Sequence, residues 1–476
     1  MTSPVSTQLK GNLGPIGIAL MVVATAAPLT VMVGVSPLII GLGNGIAAPM
    51  DALYVGVVML LFSIGFVSMS KYIENAGAFY AYILKGMGRV VGLGAASLAV
   101  MSYTLILIAL EAYIGVALSD ALSGLLGISL PWWLYTIGIV AFVGFLGYRN
   151  VELSAKVLGV ALILEIGVIL ILNLSVIGTV GVAGMDTTPF EISAFLSGSP
   201  GLGILFAIFG FIGFESTVVY REEAHNPERS IPLATYIAVI FITLLYFISL
   251  WCVVVGVGMD DVVRISTENA GSMYLDLLTR YLGHVMHDLA QVLLITSLFA
   301  VVISIHNIVA RYKYVLGSCG VLMAQLAKVH ATHASPYIAS AVQTFVSVSL
   351  LLAAAIMGFD PVTEIYAWGA AAGTLGYMII VALACFSIIC FFARRPEPSS
   401  TWATKISPAL SFIGLIGFLY IAFSNLSALT GSVGYNKVNV TIVVILIVAF
   451  VVGSGGAVIM RLKAPRRFAA ILNHMN

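Results

Sequence analysis

The sequence predicts an all-α integral membrane protein of twelve transmembrane helices. Three observations lead there. Of the 476 residues 61% are hydrophobic and only 9% charged, where a soluble globular protein carries roughly 25% charged residues. Apolar windows of about 20 residues, the length that crosses the hydrocarbon of a bilayer, recur twelve times. The basic residues sort by side once those windows are laid end to end, because cytoplasmic loops retain Lys and Arg.

The polar opening MTSPVSTQLK has no apolar run ending in a cleavage site, so no signal peptide is expected and residues 1–13 read as a cytoplasmic tail. The windows lie near 16–40, 46–69, 90–118, 132–148, 153–178, 202–220, 233–257, 287–310, 336–358, 363–393, 407–428 and 438–460. With the N-terminus inside, 18 of the 21 basic residues fall on the cytoplasmic side and only Arg264, Arg280 and Lys437 fall outside. Both termini are therefore expected in the cytoplasm, with the chain multi-pass in the cell membrane and the lipid bilayer as its solvent.

Taken in order, the first span holds ATAAPLTVMVG, which sets Pro28 and Gly34 at mid-depth. The third carries Glu111. The fourth opens on Trp132 and Trp133, read as interfacial anchors, and the fifth carries Glu165. The sixth contains FGFIGFES, with Gly210 and Gly213 at mid-depth beside Glu215. His306 and Asn307 in the eighth read as packing polar groups, and Trp368 at the start of the tenth as an anchor. A charge at the bilayer centre costs roughly 2.5–3.5 kcal/mol on insertion scales, so acids persist there where they face a cavity, a partner or a pathway. No Lys or Arg is expected at the depth of Glu111, Glu165 and Glu215. Protonation, hydrogen bonds or a bound cation remain as the remedies, and a carboxyl that only ties helices together is the plainer alternative for each. Two interrupted helices five spans apart point to a transporter built on an inverted repeat, with its site at the midplane.

Other classes find little support. No phosphate-binding G-x-x-x-x-G-K-[ST] loop, H-E-x-x-H or G-x-S-x-G occurs, so no cofactor and no enzyme activity are expected. A channel would need rings of polar residues along a continuous pore. No basic patch with interleaved aromatics suggests nucleic acid. Cys252, Cys319, Cys385 and Cys390 show no C-x-x-C spacing and read as small buried hydrophobes. His284 and His287 share a helical face without a third ligand, so no metal is expected.

The stretch FIGFESTVVYREEAHNPERSIP resembles the sixth span and following loop of permeases of the amino acid-polyamine-organocation superfamily: a glycine-broken aromatic helix, an acid, then E-E-x-x-N-P-x-R-x-I-P. NAGAFYAYILKGMG (Asn75 to Gly88), NVELSAKV (Asn150 to Val157) and ARYKYVLG (Ala310 to Gly317) are similar to further segments of that superfamily, in register with the spans. The resemblance implies five plus five inverted spans over a 14–395 core, with discontinuous helices 1 and 6 (LeuT-like), and two peripheral spans in 396–476. It implies a secondary active transporter of amino acids, whose substrate lies against Thr25, Ala26, Ala27, Pro28 and Leu29 on one side. Phe209, Gly210, Phe211, Ile212, Gly213 and Glu215 would face it on the other. Glu111 matches no residue of that superfamily and is a candidate either for contact with a substrate amine or for a hydrogen bond to a neighbouring helix.

Relatives that bind α-amino acids often carry Gly-x-Gly where this chain has Ala27, Pro28 and Leu29. Pro28 has no N–H for a carboxylate, so a polyamine or other amine importer, or an amino acid/amine exchanger, is the alternative. Glu165 stands where proton-coupled relatives have a lysine and sodium-coupled ones a sodium ion. It is expected to exchange a proton as the ion-coupling residue of a symporter, or to help bind sodium. The loop residues Arg221, Glu222, Glu223 and Arg229 read either as solvated surface or as an inner-gate network.

Overall fold

The computed structural model describes residues 14–73, 79–149, 155–219, 224–333, 335–395, 400–431, 434 and 436–475, and their regular structure is helical. Among these residues nine stretches are long and apolar enough to cross a membrane. The first, Pro15–Ser70, has 56 residues, which as one straight helix would run roughly 84 Å, more than twice the roughly 30 Å of hydrocarbon.

That stretch is not one helix. α1 (Pro15–Ala26) stops at Ala27, whose φ of 47° is left-handed, a conformation that costs an L-residue roughly 1–2 kcal/mol. The chain restarts at Pro28, where the proline ring suits a first helical turn that has no N–H to satisfy. It continues through widened π-helical turns at Val31–Val35 and Ile39–Asn44. Gly43, with φ −99° and ψ −117°, ends it, and α2 (Ala48–Ser70) follows. The interruption thus falls at Ala27 and Pro28. Gly34, expected to share in it, lies inside the helical continuation.

The later helices include α3 (Arg89–Leu126), α4 (Trp132–Tyr148), α5 (Ala155–Gly184), α6 (Pro200–Phe209), α7 (Pro227–Val257), α8 (His284–Ser318), α9 (Tyr337–Ile356), α10 (Ala367–Ala393), α11 (Ser407–Ser424) and α12 (Lys437–Lys463). After α6 the chain runs through turns over 210–215 before the short helix Ser216–Val219. α8 extends to Ser318, beyond the expected window, and so carries Lys313. Lys313 is buried, and its ammonium donates to Gln343 Oε1 on α9 at 2.6 Å. Lys313, expected in a loop after the eighth span, instead lies inside a helix, its long side chain reaching a polar partner on the next one.

α3 lies inside the bundle, with α4, α8, α10 and α12 all packed on it. α5 and α12 present Ile163, Leu174, Ile447 and Val451 outward, as a lipid-facing surface requires and a water-facing one does not. The polar tail 1–13, residues 75–78 and 150–154, and the loop acids and arginine at 221–223 lie outside the described residues.

Candidate functional site

The break at Ala27 brings three segments to one carboxylate. Glu165 Oε2 on α5 accepts the Leu29 N–H at 3.4 Å and the Ser297 hydroxyl of α8 at 3.1 Å. The Thr30 hydroxyl donates to Ser297 Oγ at 3.2 Å. Glu165 is 4% exposed. The remaining donors near the break are largely committed: Ala27 N–H bonds Ala24 O at 3.1 Å, and Thr25 Oγ1 donates to Met21 O at 3.0 Å.

The second break is a run of tight turns. Gly210, Phe211 and Ile212 each donate N–H three residues back, to Ala207, Ile208 and Phe209, at 3.2, 2.9 and 3.1 Å. Gly213 then takes φ 100°, and a Cβ there would stand 2.6 Å from Thr25 Cγ2. Only glycine satisfies both that backbone and that proximity, and the two breaks touch at this point. Glu215 follows directly. Its Oε1 accepts from the Tyr103 hydroxyl of α3, and its Oε2 accepts the Gly213 N–H at 3.0 Å and the Tyr377 hydroxyl of α10 at 3.4 Å. The Tyr377 hydroxyl also lies 3.5 Å from Phe211 O. The glutamate therefore anchors the broken segment to α3 and α10.

Aromatic rings close around the two breaks. Tyr113 and Tyr366 stack at 4.7 Å, and Phe209 meets Tyr366 edge-on at 6.5 Å. They pack over Gly34, where a Cβ would come 2.8 Å from the Tyr113 ring. Around Phe214, the rings of Phe62, Phe66 and Phe79 lie 5.7 to 6.0 Å away. The hydroxyls of Tyr246 and Tyr366 are buried without a hydrogen-bond partner. Neither Glu165 nor Glu215 forms an ion pair among the described residues.

Of the residues singled out from sequence, Thr25 and Gly213 meet, Leu29 meets Glu165, and Phe209 reaches the aromatic cover. Ala26, Pro28, Phe211 and Ile212 are buried along the same two segments. Glu111 keeps different company. It is fully buried on α3 beside Ser347 of α9, and neither of its oxygens closes a hydrogen bond. Ser347 accepts from Gln343 at 3.1 Å, which in turn holds Lys313. His306 packs as expected, 2.9 Å from Ser340. His287 lies 3.0 Å from its neighbour Asp288, and no group of three or more metal-ligating side chains occurs among the described residues.

Sequence reasoning missed Thr30, Ser297, Tyr103 and Tyr377. Their signal is a polar atom in an apolar window, and with 20 tyrosines in the chain that signal selects none of them.

Residues 14–450 match the profile of a family described as amino acid permease. The branched-chain amino acid permease BcaP of Bacillus subtilis is 24% identical over 297 residues, which is 60% of this chain and 57% of that protein. The low-affinity putrescine importer PlaP of Escherichia coli K12 is 23% identical over 325 residues, 66% of this chain and 68% of that protein. An uncharacterized transporter of Mycobacterium tuberculosis, Rv1979c, is 27% identical over 243 residues, 44% of this chain and 48% of that protein. The alignment thus spans little more than half the length of the Bacillus relative.

Proposed function

We propose, because this chain belongs to the amino acid permease family of the amino acid-polyamine-organocation superfamily, that it is a secondary active transporter of small ammonium-bearing solutes, amino acids or amines. The solute lies between the breaks at Ala27–Leu29 and Phe209–Glu215. The solutes of the two relatives, branched-chain amino acids and putrescine, share the ammonium group and differ in the carboxylate. The single observation that carries the reading is the meeting of the two breaks at Thr25 and Gly213, each break flanked by a buried carboxylate. Interrupted helices of this kind expose peptide groups at mid-depth, where a small solute can use them.

Twelve crossings, five plus five and two peripheral, fit this reading. Counting Pro15–Ser70 as two crossings and adding the shorter apolar helices α4 and α6 to the remaining long stretches gives that number. The outward exposure of Ile413 and Tyr420 on α11, and of Ile447 and Val451 on α12, supports a peripheral position for the last two.

Glu165 is the ion-coupling residue in this proposal. It joins the first break to α8 through Leu29 and Ser297, so loading it with a proton, or placing sodium among those oxygens, changes how firmly the broken segment is held. The test is uptake by purified protein in liposomes, using labelled leucine and labelled putrescine, under imposed pH and sodium gradients. Accumulation of either under a proton gradient supports the reading. Failure of both to accumulate or to exchange in counterflow contradicts it.

A further inference from the structure

We infer that Glu165 occupies the place at the first break that a substrate carboxylate would need, so that the site selects amines lacking a carboxylate, diamines foremost. This rests on the transport reading above and narrows it to one substrate class. The start of an interrupted helix favours an anion because its first N–H groups have no partner within the helix. Here that inventory is nearly exhausted. Pro28 has no N–H, the Leu29 N–H is bonded to Glu165 Oε2 at 3.4 Å, and the same oxygen holds Ser297, the acceptor of the Thr30 hydroxyl. The protein has filled the anion position with its own side chain.

Charge points the same way. Glu165 and Glu215 are both buried and both hydrogen-bonded only to donors, with no ion-pair partner among the described residues. With both carboxylates ionised, a zwitterion would bring a third to that site, facing like charge at low dielectric. An amine brings only what the site lacks. Tyr113 stacked on Tyr366, with Phe209 edge-on to Tyr366, sets an aromatic cluster at the breaks whose uncovered ring faces suit an ammonium group. The unpartnered hydroxyls of Tyr246 and Tyr366 can accept its protons. A diamine sets one ammonium toward each carboxylate.

The experiment compares matched pairs that differ only by a carboxylate: 1,4-diaminobutane with ornithine, 1,5-diaminopentane with lysine, and 3-methylbutylamine with leucine. Binding to the purified full-length chain is read by ligand-induced thermal stabilisation and by calorimetry. The expected result is that each amine binds at least about 100-fold more tightly than its amino acid, the order of penalty for a buried charge left without a partner. In Glu165→Ala, which frees the Leu29 N–H, the ratio is expected to fall at least about tenfold. Glu165→Asp, which withdraws the carboxylate while keeping its charge, serves where the alanine variant does not fold. Equal or tighter binding of the amino acids overturns this inference and leaves the transport reading standing. A ratio unchanged in both variants also overturns it. Binding of neither member of any pair overturns the transport reading together with it.

Discussion

Replacing Gly213 by alanine tests whether the second break depends on this one residue. The backbone there has φ 100°, and the new Cβ would meet Thr25 Cγ2 at 2.6 Å. Holding an L-residue in a left-handed conformation costs about 1–2 kcal/mol, and forcing a methyl into a filled contact costs about 1–3 kcal/mol more. The sum is a loss of about 2–5 kcal/mol. Thr25 has little room to yield, because its hydroxyl bonds Met21 O and its segment is fixed by the left-handed turn at Ala27. The control is Gly167→Ala on α5, where nothing lies within 4 Å of the added atom and the expected change is nil or a slight gain of helix propensity, about 0.5–1 kcal/mol. Both variants are followed by unfolding of detergent-purified protein and by solute counterflow. Gly213→Ala should melt well below the control and lose exchange. Equal melting temperatures for the two would refute the claim that the breaks press together at this glycine.

Further outcomes follow from the carboxylates. Glu165→Gln should flatten the pH dependence of uptake in liposomes while solute still binds; an unchanged pH profile removes Glu165 from coupling. Ser297→Ala deletes a donor to that carboxylate and should destabilise the protein by about 1.5–3 kcal/mol, the worth of a hydrogen bond to a charged group, checked by unfolding. Tyr103→Phe leaves Glu215 Oε1 without its α3 partner, and should slow exchange more than Tyr80→Phe, whose ring packs on Tyr312 in the same aromatic group. Asp186, outside the spans, accepts the Thr188 hydroxyl and N–H at 2.7 and 2.8 Å, which hold its carboxyl below the ordinary aspartate value. A depressed carboxyl stabilises its loop above the unfolded value of about 3.9 and loses that effect as pH falls through the lower folded value. Because Trp251 Nε1 donates to Asp186 O, its fluorescence should hold steady from neutral pH down to about pH 4; a shift already complete at about pH 5 contradicts this.

The sixth-helix break was legible because glycine, aromatic residues and an acid recur there within eight residues, a pattern with few other uses in an apolar window. The first break falls within the expected Thr25–Leu29 segment, but Pro28 and Gly34, taken as its signs, are not the residues that turn the backbone. Proline and glycine are the usual signs of a broken helix, yet the left-handed residue is Ala27, and no propensity marks an alanine for that conformation. Gly34 serves close packing against Tyr113 and Tyr366 instead. Glu165 stood out by charge alone, whereas Ser297 and Thr30 carry no local signal; they matter through a distance set by the packing of α5 against α8. Lys313 was assigned to a loop because charge ends a hydropathy window, although α8 continues past it to reach Gln343. Asp51 escaped notice for the same reason: it sits at the edge of a window, but is fully buried and held by Asn44 at 3.3 Å.

An experimental density map of the protein with a bound solute, 1,4-diaminobutane or leucine, bears most directly on the whole account. It should show the solute between Leu29 and the Phe209–Glu215 turns, with both helices interrupted at Ala27 and Gly213. Continuous helices through those two residues, or a solute held elsewhere, would contradict it.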